Sequence, residues 1–213
     1  MDVRPAETTL YSLSDAPPQP HEDRRESGRL MTLYRVGSLS LGERRELCLI
    51  KNISAGGMMV RCYCSIPEGT RVAVELKCGQ PLTGTVSWAR DIHIGIAFDE
   101  PIDVIDILST SSHGPRPRMP RIEVAGFITV REGASVYRMR VCDISQGGLK
   151  VQGETCLPVD ADVVVTLSGI EPIHGVVRWT SDNQMGIIFN RLLPLPTLVE
   201  WLKAEREAHP VGD

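Results

Sequence analysis

The sequence predicts a mainly β protein with two tandem six-stranded antiparallel barrels, each followed by a short C-terminal α-helix. Three observations lead to this fold: an internal repeat, alternation of apolar and polar residues, and regularly spaced turn signals. The repeat is clearest where Asn-Ile-Ser-Ala-Gly-Gly at 52–57 matches Asp-Ile-Ser-Gln-Gly-Gly at 143–148, an offset of 143 − 52 = 91. Because solenoid units recur at only roughly 20 to 50 residues, each copy is a whole small domain.

Apolar residues alternate with other residues inside each copy, which is the pattern of strands with one buried face. The same ungapped offset aligns them: Val72, Val74 and Leu76 correspond to Val163, Val165 and Leu167, and Trp88 to Trp179. Short strands joined by turns such as Pro67-Glu68-Gly69 are typical of small antiparallel barrels. The predicted strands are 32–38, 45–51, 57–63, 70–76, 82–90 and 93–98, then 123–130, 136–142, 148–153, 161–167, 173–180 and 184–189.

Two further segments and the composition of the connections give the domain organisation. Residues 102–108 are ambiguous, whereas 198–204 predict a helix with Thr197 as N-cap, because Pro194 and Pro196 disfavour an earlier start. The expected domains are a disordered tail at 1–21, a first domain at 22–110, a linker at 111–115 and a second domain at 116–207. A chain of 213 residues with 42% apolar content suits two such domains.

Charge and composition exclude several classes of function. The net charge of −4 argues against a DNA or RNA partner, and no apolar run has the length of a membrane span. The spacing of the six cysteines fits neither a disulfide framework nor paired zinc knuckles. The five histidines show no catalytic or metal-ligand spacing. We therefore expect a cytoplasmic protein without catalysis, metal or other cofactor, or membrane insertion.

The repeated hexapeptide has a structural use for each polar residue and glycine. An Asx side chain accepts hydrogen bonds from backbone amides two or three residues on, and glycines permit positive φ or close approach to the main chain. Ser54 and Ser145 add hydroxyls that point into the turn or toward a docked group. The motif also suits an ordinary connection between strands. Trp88 and Trp179 are expected in the cores, because Val86 and Val177 share their faces.

Arginines precede the first barrel at the end of the predicted tail. Arg24, Arg25 and Arg29 lie about two dozen residues before the first hexapeptide. Guanidinium groups bind phosphate through paired charge-assisted hydrogen bonds, stack on purines, and reach the O6 and N7 edge of guanine. The alternative interpretation is a solvated charged surface beside Glu22, Asp23 and Glu26. A ligand with phosphates and guanines would use every one of these arginine properties.

The spacing Arg25-x-x-x-Arg29 followed by Asn52-x-Ser54-x-x-Gly57 resembles the PilZ family of cyclic di-GMP receptor domains, across about residues 22–205. The resemblance implies a small β-barrel with a C-terminal helix, no catalysis, and a ligand held between the arginine segment and the barrel. It implies that Arg25 and Arg29 bind phosphates and guanine edges, and that Arg24 contacts an intercalated ligand dimer. It further implies that Asn52, Ser54 and Gly57 line the surface on which a guanine rests.

The second copy departs from this pattern in its arginines. At the ungapped offset Arg25 corresponds to Arg116, but Arg29 corresponds to Pro120. A shift of one residue places Arg121 opposite Arg29 and Pro117 opposite Arg25, and proline has no donor. The candidate residues of this weaker second site are Arg116, Arg118, Arg121, Asp143, Ser145 and Gly148.

Two hypotheses of function follow from the sequence. In the first, cyclic di-GMP orders the arginine segment, changes the arrangement of the two domains, and so alters binding to an unidentified protein partner in motility or biofilm regulation. In the second, the barrels form an interaction or dimerisation module with little or no nucleotide binding, and a homodimer is left open. Only the first hypothesis requires the paired Arg25 and Arg29.

Overall fold

The computed structural model describes residues 31–76, 81–109 and 119–209, in twelve strands and two helices. The first barrel has β1 Met31–Leu41, β2 Arg44–Ser54, β3 Gly57–Arg61, β4 Arg71–Glu75, β5 Leu82–Arg90 and β6 His93–Phe98, followed by α1 Val104–Ser109. The second has β7 Ile122–Glu132, β8 Ser135–Ser145, β9 Gly148–Gln152, β10 Asp162–Thr166, β11 Ile173–Ser181 and β12 Gln184–Phe189, followed by α2 Leu195–Ala208.

Each set of six strands closes into an antiparallel barrel. The strand order is β1-β2-β3-β6-β5-β4 in the first domain and β10-β11-β12-β9-β8-β7 in the second, so the topology repeats. The predicted mainly β fold with two tandem barrels is confirmed, and all twelve predicted strands are present within three residues of the predicted ends. Closure gives each described strand a paired neighbour on both sides, although β1 pairs with β4 only at Ser38, Leu39 and Ser40.

The repeat extends to backbone conformation at the tight turns. Gly42, between β1 and β2, has a φ of 61°, and Gly133, at the equivalent turn between β7 and β8, has a φ of 55°. This left-handed region is open to glycine without the steric penalty that a Cβ brings. The two long hairpins of the barrels therefore turn at glycines that the offset of 91 superimposes.

Side chains that point into each barrel form its core. Ile50, Val60 and Val74 are fully buried in the first barrel, and Val141 and Val165 in the second. Burying one such side chain contributes about 1.5–3 kcal/mol relative to an exposed one. The alternation of inward and outward residues along the strands produces this core, and it assigns the motif residues to the outer surface.

The two helices begin differently. Asp103 caps α1, since its Oδ1 accepts hydrogen bonds from the backbone N–H of Ile105 at 2.9 Å and of Asp106 at 3.1 Å. The prediction of Thr197 as the N-cap of α2 was wrong: the helix begins at Leu195, with Pro194 in the N-cap position. Proline is tolerated there because the first turn has no intrahelical acceptor for its missing N–H.

The two domains pack against each other through α2 and the outer face of β1 and β2. Arg206 Nη2 donates to the backbone oxygen of Arg45 at 2.7 Å, and Arg206 Nη1 forms an ion pair with Glu46. Leu47 is buried in the same apolar cluster as the second barrel's core, and Val36 and Leu49 pack against that cluster. Domain 1 therefore contributes one outer barrel face to the interdomain contact.

Candidate ligand-binding site

The first motif forms the hairpin between β2 and β3. Asn52 and Ser54 end β2, Ala55 and Gly56 make the turn, and Gly57 begins β3. Ser54 is paired with Gly57 across the hairpin, and its hydroxyl donates to the Gly57 carbonyl oxygen at 3.1 Å. In the second domain Ser145 Oγ donates to the Gly148 carbonyl oxygen, also at 3.1 Å. The serines therefore stabilise the hairpin itself.

Asn52 makes a different hydrogen bond from the one its motif predicts. Its Oδ1 accepts from the backbone N–H of Met59 at 3.2 Å, seven residues on and across the hairpin, so the expected bond to an amide two or three residues on was wrong. The strand pairing shifts register between Ile50 and Asn52, which is how a bulge frees a backbone donor for a side chain. The oxygen of Asn52 is used within the barrel.

Gly57 is required by the close approach of a neighbouring strand. A Cβ built on Gly57 would lie 2.3 Å from the Ile96 carbonyl oxygen of β6, and one on Gly148 would lie 2.3 Å from the Ile187 oxygen. Gly56 has open space, since no atom lies within 4 Å of its built Cβ. The sequence analysis gave two reasons for glycine here, a positive φ or close approach of another group to the main chain. At Gly57 the reason is close approach.

The motif belongs to a larger outer surface, which we call the motif face, made by the outward residues of β2, β3, β6 and β5. Successive pairing across these strands aligns two rows of residues. The first row is Asn52, Met59, Gly95 and Trp88, and the second is Ser54, Gly57, Ala97 and Thr85. Gly57, Gly95 and Ala97 bring no large side chain to the centre of this surface. Met59 lies among them, and Trp88 adds an aromatic group at one end of the first row.

Trp88 lies on the motif face and Trp179 on the equivalent face of domain 2, so their predicted core position was wrong. A Cβ on Gly95 would lie 2.0 Å from Trp88 Nε1, and one on Gly186 would lie 2.1 Å from Trp179 Nε1. Each indole thus lies over the glycine of the next strand, and Trp179 is 41% exposed. A register shift just before each tryptophan takes it out of the inward alternation that Val86 and Val177 follow.

A cationic row borders the motif face of domain 1 and was missed in the sequence. Pairing aligns Arg61 of β3 with His93 of β6 and Arg90 of β5. The Arg61 guanidinium lies 5.3 Å from the Tyr63 ring, and the Arg90 guanidinium lies 5.8 Å from the Trp88 ring. The sequence contained the signal for this row. Side chains alternate between the two faces of a strand, so Arg61 and Met59, two residues apart, lie on the same side of β3.

The equivalent face of domain 2 has different chemistry. Its corresponding row is Asp143, Lys150, Gly186 and Trp179. Arg121 forms an ion pair with Asp143, and Lys150 Nζ lies 3.7 Å from the same carboxylate. The offset takes Arg61, His93 and Arg90 to Gln152, Gln184 and Ser181, which carry no charge. In domain 2 the cationic side chains of Arg121 and Lys150 therefore neutralise Asp143 of the same face. The row that corresponds to the cationic row of domain 1 carries no charge.

The structure brings together part of each predicted site. Asn52, Ser54 and Gly57 lie side by side on one hairpin, and Arg121 joins Asp143, Ser145 and Gly148 on the other domain. The remaining predicted arginines, Arg24, Arg25, Arg29, Arg116 and Arg118, lie outside the described residues. Their contribution to either face therefore stays a prediction.

The cysteines and helices of the described residues form neither a metal site nor a membrane span. No group of three His, Cys, Asp or Glu side chains in the described ranges could hold a metal ion. Burial raises the pKa of Cys62 to about 12, so this thiol stays protonated at neutral pH. Within the part of the chain that the structure covers, neither helix has the length and apolar character needed to cross a membrane.

Comparison with known proteins adds a family and several structural likenesses. A family model described as the PilZ domain matches residues 23–109 and 115–202. No curated protein sequence matches the chain. The Borreliella burgdorferi PlzA protein in complex with c-di-GMP is similar at 12% identity and a TM-score of 0.38, over 80% of this chain and 88% of that one. Bacillus subtilis MotI/DgrA, an inhibitor of motility, is similar at 12% identity and 0.34, over 84% and 100%. Escherichia coli YcgR in complex with c-di-GMP is similar at 16% identity and 0.30, over 81% and 84%.

Proposed function

The chain belongs to the PilZ domain family, and from this premise we propose that its first domain is a receptor for cyclic di-GMP. The observation that carries the proposal is the motif face of domain 1, where Asn52, Ser54 and Gly57 adjoin Trp88 on a low surface. The segment with Arg25 and Arg29 directly precedes this barrel. Family membership and these residues together favour a ligand with two guanines and two phosphates.

The motif face offers complementary contacts for each part of this ligand. A guanine would rest over the hairpin of Ser54 and Gly57, beside Gly56, which adds no side chain and has open space at its Cβ position. The indole of Trp88 extends the surface with an aromatic plane, and base stacking on such a plane contributes about 1–3 kcal/mol. Arg25 and Arg29 would bind the phosphates through charge-assisted hydrogen bonds. The positive charges of Arg61 and Arg90 lower the energy of a dianion at the border.

The second domain lacks this combination. A ligand on its equivalent face would meet the carboxylate of Asp143, which Arg121 and Lys150 already bind. Displacing these partners would leave the largely buried carboxylate of Asp143 with less compensation, which is unfavourable. We therefore propose that domain 1 carries the receptor function. The second barrel acts as the rigid partner against which the first is placed.

The proposed effector mechanism uses the contact between the domains. The arginine segment leads into β1, and the outer face of β1 and β2 packs on domain 2 through Leu47 and Arg206. Ordering of that segment by the ligand would favour one arrangement of the domains and change the surface offered to a protein partner. The protein would act in the cytoplasm as a non-catalytic receptor, in a process such as motility or biofilm formation.

Isothermal titration of the full chain with cyclic di-GMP, with GTP and cyclic di-AMP as controls, tests the proposal. We expect selective binding that is weakened about tenfold or more by Arg25→Ala or Arg29→Ala, since each change removes about 1.5–3 kcal/mol. Asp143→Ala, on the equivalent motif of domain 2, should leave the affinity near that of the wild type. Arg178→Ala is the matched control, because Arg178 is exposed on the outer side of β11.

Three results would contradict this assignment in different ways. Wild-type affinity in both arginine variants would show that the ligand binds elsewhere. Absence of binding heat at several temperatures would favour the alternative, a PilZ-like interaction module with little or no nucleotide binding. Loss of all binding in Asp143→Ala would show that the domains share one pocket.

A further inference from the structure

One outer face of domain 2 is open although its counterpart in domain 1 is covered. Val36, Leu47 and Leu49 of domain 1 pack against the core cluster of domain 2. The offset of 91 takes these residues to Phe127, Arg138 and Arg140 on β7 and β8. Phe127 is 54% exposed, so nothing in the described chain covers the equivalent face. The outer face of β1 and β2 is thus covered by domain 2, whereas the equivalent face of β7 and β8 is exposed.

The vacant face forms a basic and apolar groove, here called the β7–β8 groove. It has a volume of about 530 Å³ and is lined by Phe127, Val136, Tyr137, Arg138 and Arg140, with residues 152–155 and Asn183 on its other side. The Arg138 guanidinium lies 4.5 Å from the Phe127 ring. Among the described residues, neither Arg138 nor Arg140 has a salt bridge, and Glu154 is the single carboxylate in the lining.

A surface of opposite character lies on domain 1, around α1, and we call it the α1 corner. Ile105 is 73% exposed, the largest exposed fraction of any large apolar side chain in the described chain. Glu100, Asp103 and Asp106 are exposed around it, and the last turn of α1 has no basic residue. Val104 and Ile107 face the other way and pack on the first barrel's core. The α1 corner is therefore an apolar centre ringed by carboxylates.

We propose that the α1 corner of one chain docks in the β7–β8 groove of a second copy. Ile105 would fill the apolar part of the groove beside Phe127 and Val136. The carboxylates of Glu100 and Asp103 would pair with Arg138 and Arg140. The two surfaces do not satisfy each other within one chain, because Ile105 and Val136 are 73% and 62% exposed. Exposed apolar patches with complementary charge are typical of protein–protein interfaces.

The charges also exclude the alternative in which a second copy repeats the interdomain contact. The C-terminal end of α2 meets Glu46 of domain 1 through Arg206. The residue equivalent to Glu46 in domain 2 is Tyr137, so Arg206 would lose its carboxylate and approach Arg138 and Arg140 instead. Like charges at such a contact are unfavourable. The acidic α1 corner has no such conflict, and a reciprocal contact about a two-fold axis ends at a dimer.

Sedimentation velocity of the full chain without nucleotide, across a wide range of concentration, tests the proposal. We expect reversible dimer formation that Arg138→Glu with Arg140→Glu weakens at least about tenfold. Glu100→Lys with Ile105→Lys should have the same effect. An equimolar mixture of these two variants should restore the dimer, because reversal on both sides re-pairs opposite charges in both contacts. Arg178→Glu with Arg191→Glu is the control, since both arginines are exposed elsewhere on domain 2.

Each outcome decides between the proposal and its rejection. A wild-type chain that stays monomeric, a dimer that persists in both double variants, or a mixture that stays monomeric would overturn it. Thermal unfolding by circular dichroism checks that each variant is folded, which is expected because all four residues are exposed. The groove variant should still bind cyclic di-GMP as the wild type does, so failure of the dimer and failure of the receptor function are separable.

Discussion

Replacement of Gly57 by alanine should destabilise the first barrel, whereas the same change at the adjacent Gly56 should not. The added Cβ of Gly57→Ala would lie 2.3 Å from the Ile96 carbonyl oxygen, whereas ordinary contact begins at 3.4 Å. The difference, 3.4 − 2.3 = 1.1 Å, must come from a displacement of β3 or β6. Both are central strands with backbone pairing on either side, so neither can move alone.

The magnitude follows from the cost of overpacking a rigid contact. Such changes destabilise proteins by about 1–3 kcal/mol. For a domain of this size, 1 kcal/mol lowers the Tm by about 4–8 °C, so a decrease of roughly 5–20 °C is expected for Gly57→Ala. Gly56→Ala adds a Cβ into open space at a residue without positive φ, and its effect should stay within about 0.5 kcal/mol.

Thermal unfolding followed by circular dichroism measures both variants without ligand. Hydrogen exchange of the 52–61 segment then shows whether the loss of protection is local to the hairpin and β3. Gly148→Ala provides the matched test in domain 2, where the built Cβ lies 2.3 Å from the Ile187 oxygen. Equal melting of Gly57→Ala and the wild type, or equal destabilisation by Gly56→Ala, would refute the steric reasoning.

Three further predictions address the ligand, the domain contact and pH. Trp88→Ala should weaken cyclic di-GMP binding roughly five- to a hundredfold, because it removes a stacking surface, whereas Trp179→Ala should not; titration calorimetry compares them. Arg206→Ala should cost about 1–3 kcal/mol in urea unfolding and increase the radius of gyration in X-ray scattering, because the bonds to Arg45 O and Glu46 are lost. Burial raises the pKa of Cys62 to about 12, above the unfolded value of about 8.5, so its contribution to stability is present below about pH 8.5 and decreases as pH rises toward 12. Unfolding curves of the wild type and Cys62→Ala should therefore converge at alkaline pH, and parallel curves would contradict this.

The strands could be predicted closely because their signal is local. Apolar and polar residues alternate along a strand because successive side chains point to opposite faces. The same pattern occurs in both copies of the repeat, which makes a chance match improbable. The start of α2 was predicted three residues late, with Thr197 instead of Pro194 as the N-cap, for a similar local reason. The rule against proline was applied at Pro194 and Pro196, although the first turn of a helix tolerates proline.

The site was predicted in part, and its errors have a common cause. Trp88 was assigned to the core because it lies two residues after the buried Val86, which in a regular strand places both side chains on one face. A bulge between them reverses the side on which the indole lies. The same kind of shift frees the Met59 amide for Asn52. A bulge depends on how two strands pair, and neither strand's own sequence records it. The cationic row of Arg61 and Arg90 needs the pairing as well, since these residues meet through β6.

The amino-acid sequence alone determined the duplication, the two six-stranded barrels, the motif residues and the resemblance to PilZ domains, because each depends on spacing along one chain. The tertiary structure decided what depends on the meeting of distant segments. It showed that Asn52 and Trp88 share an outer surface, that Asp143 is bound by Arg121 and Lys150, and that Arg206 links the domains. Ion pairs and aromatic contacts act over a few ångströms of space, and only the folded chain brings their partners that close.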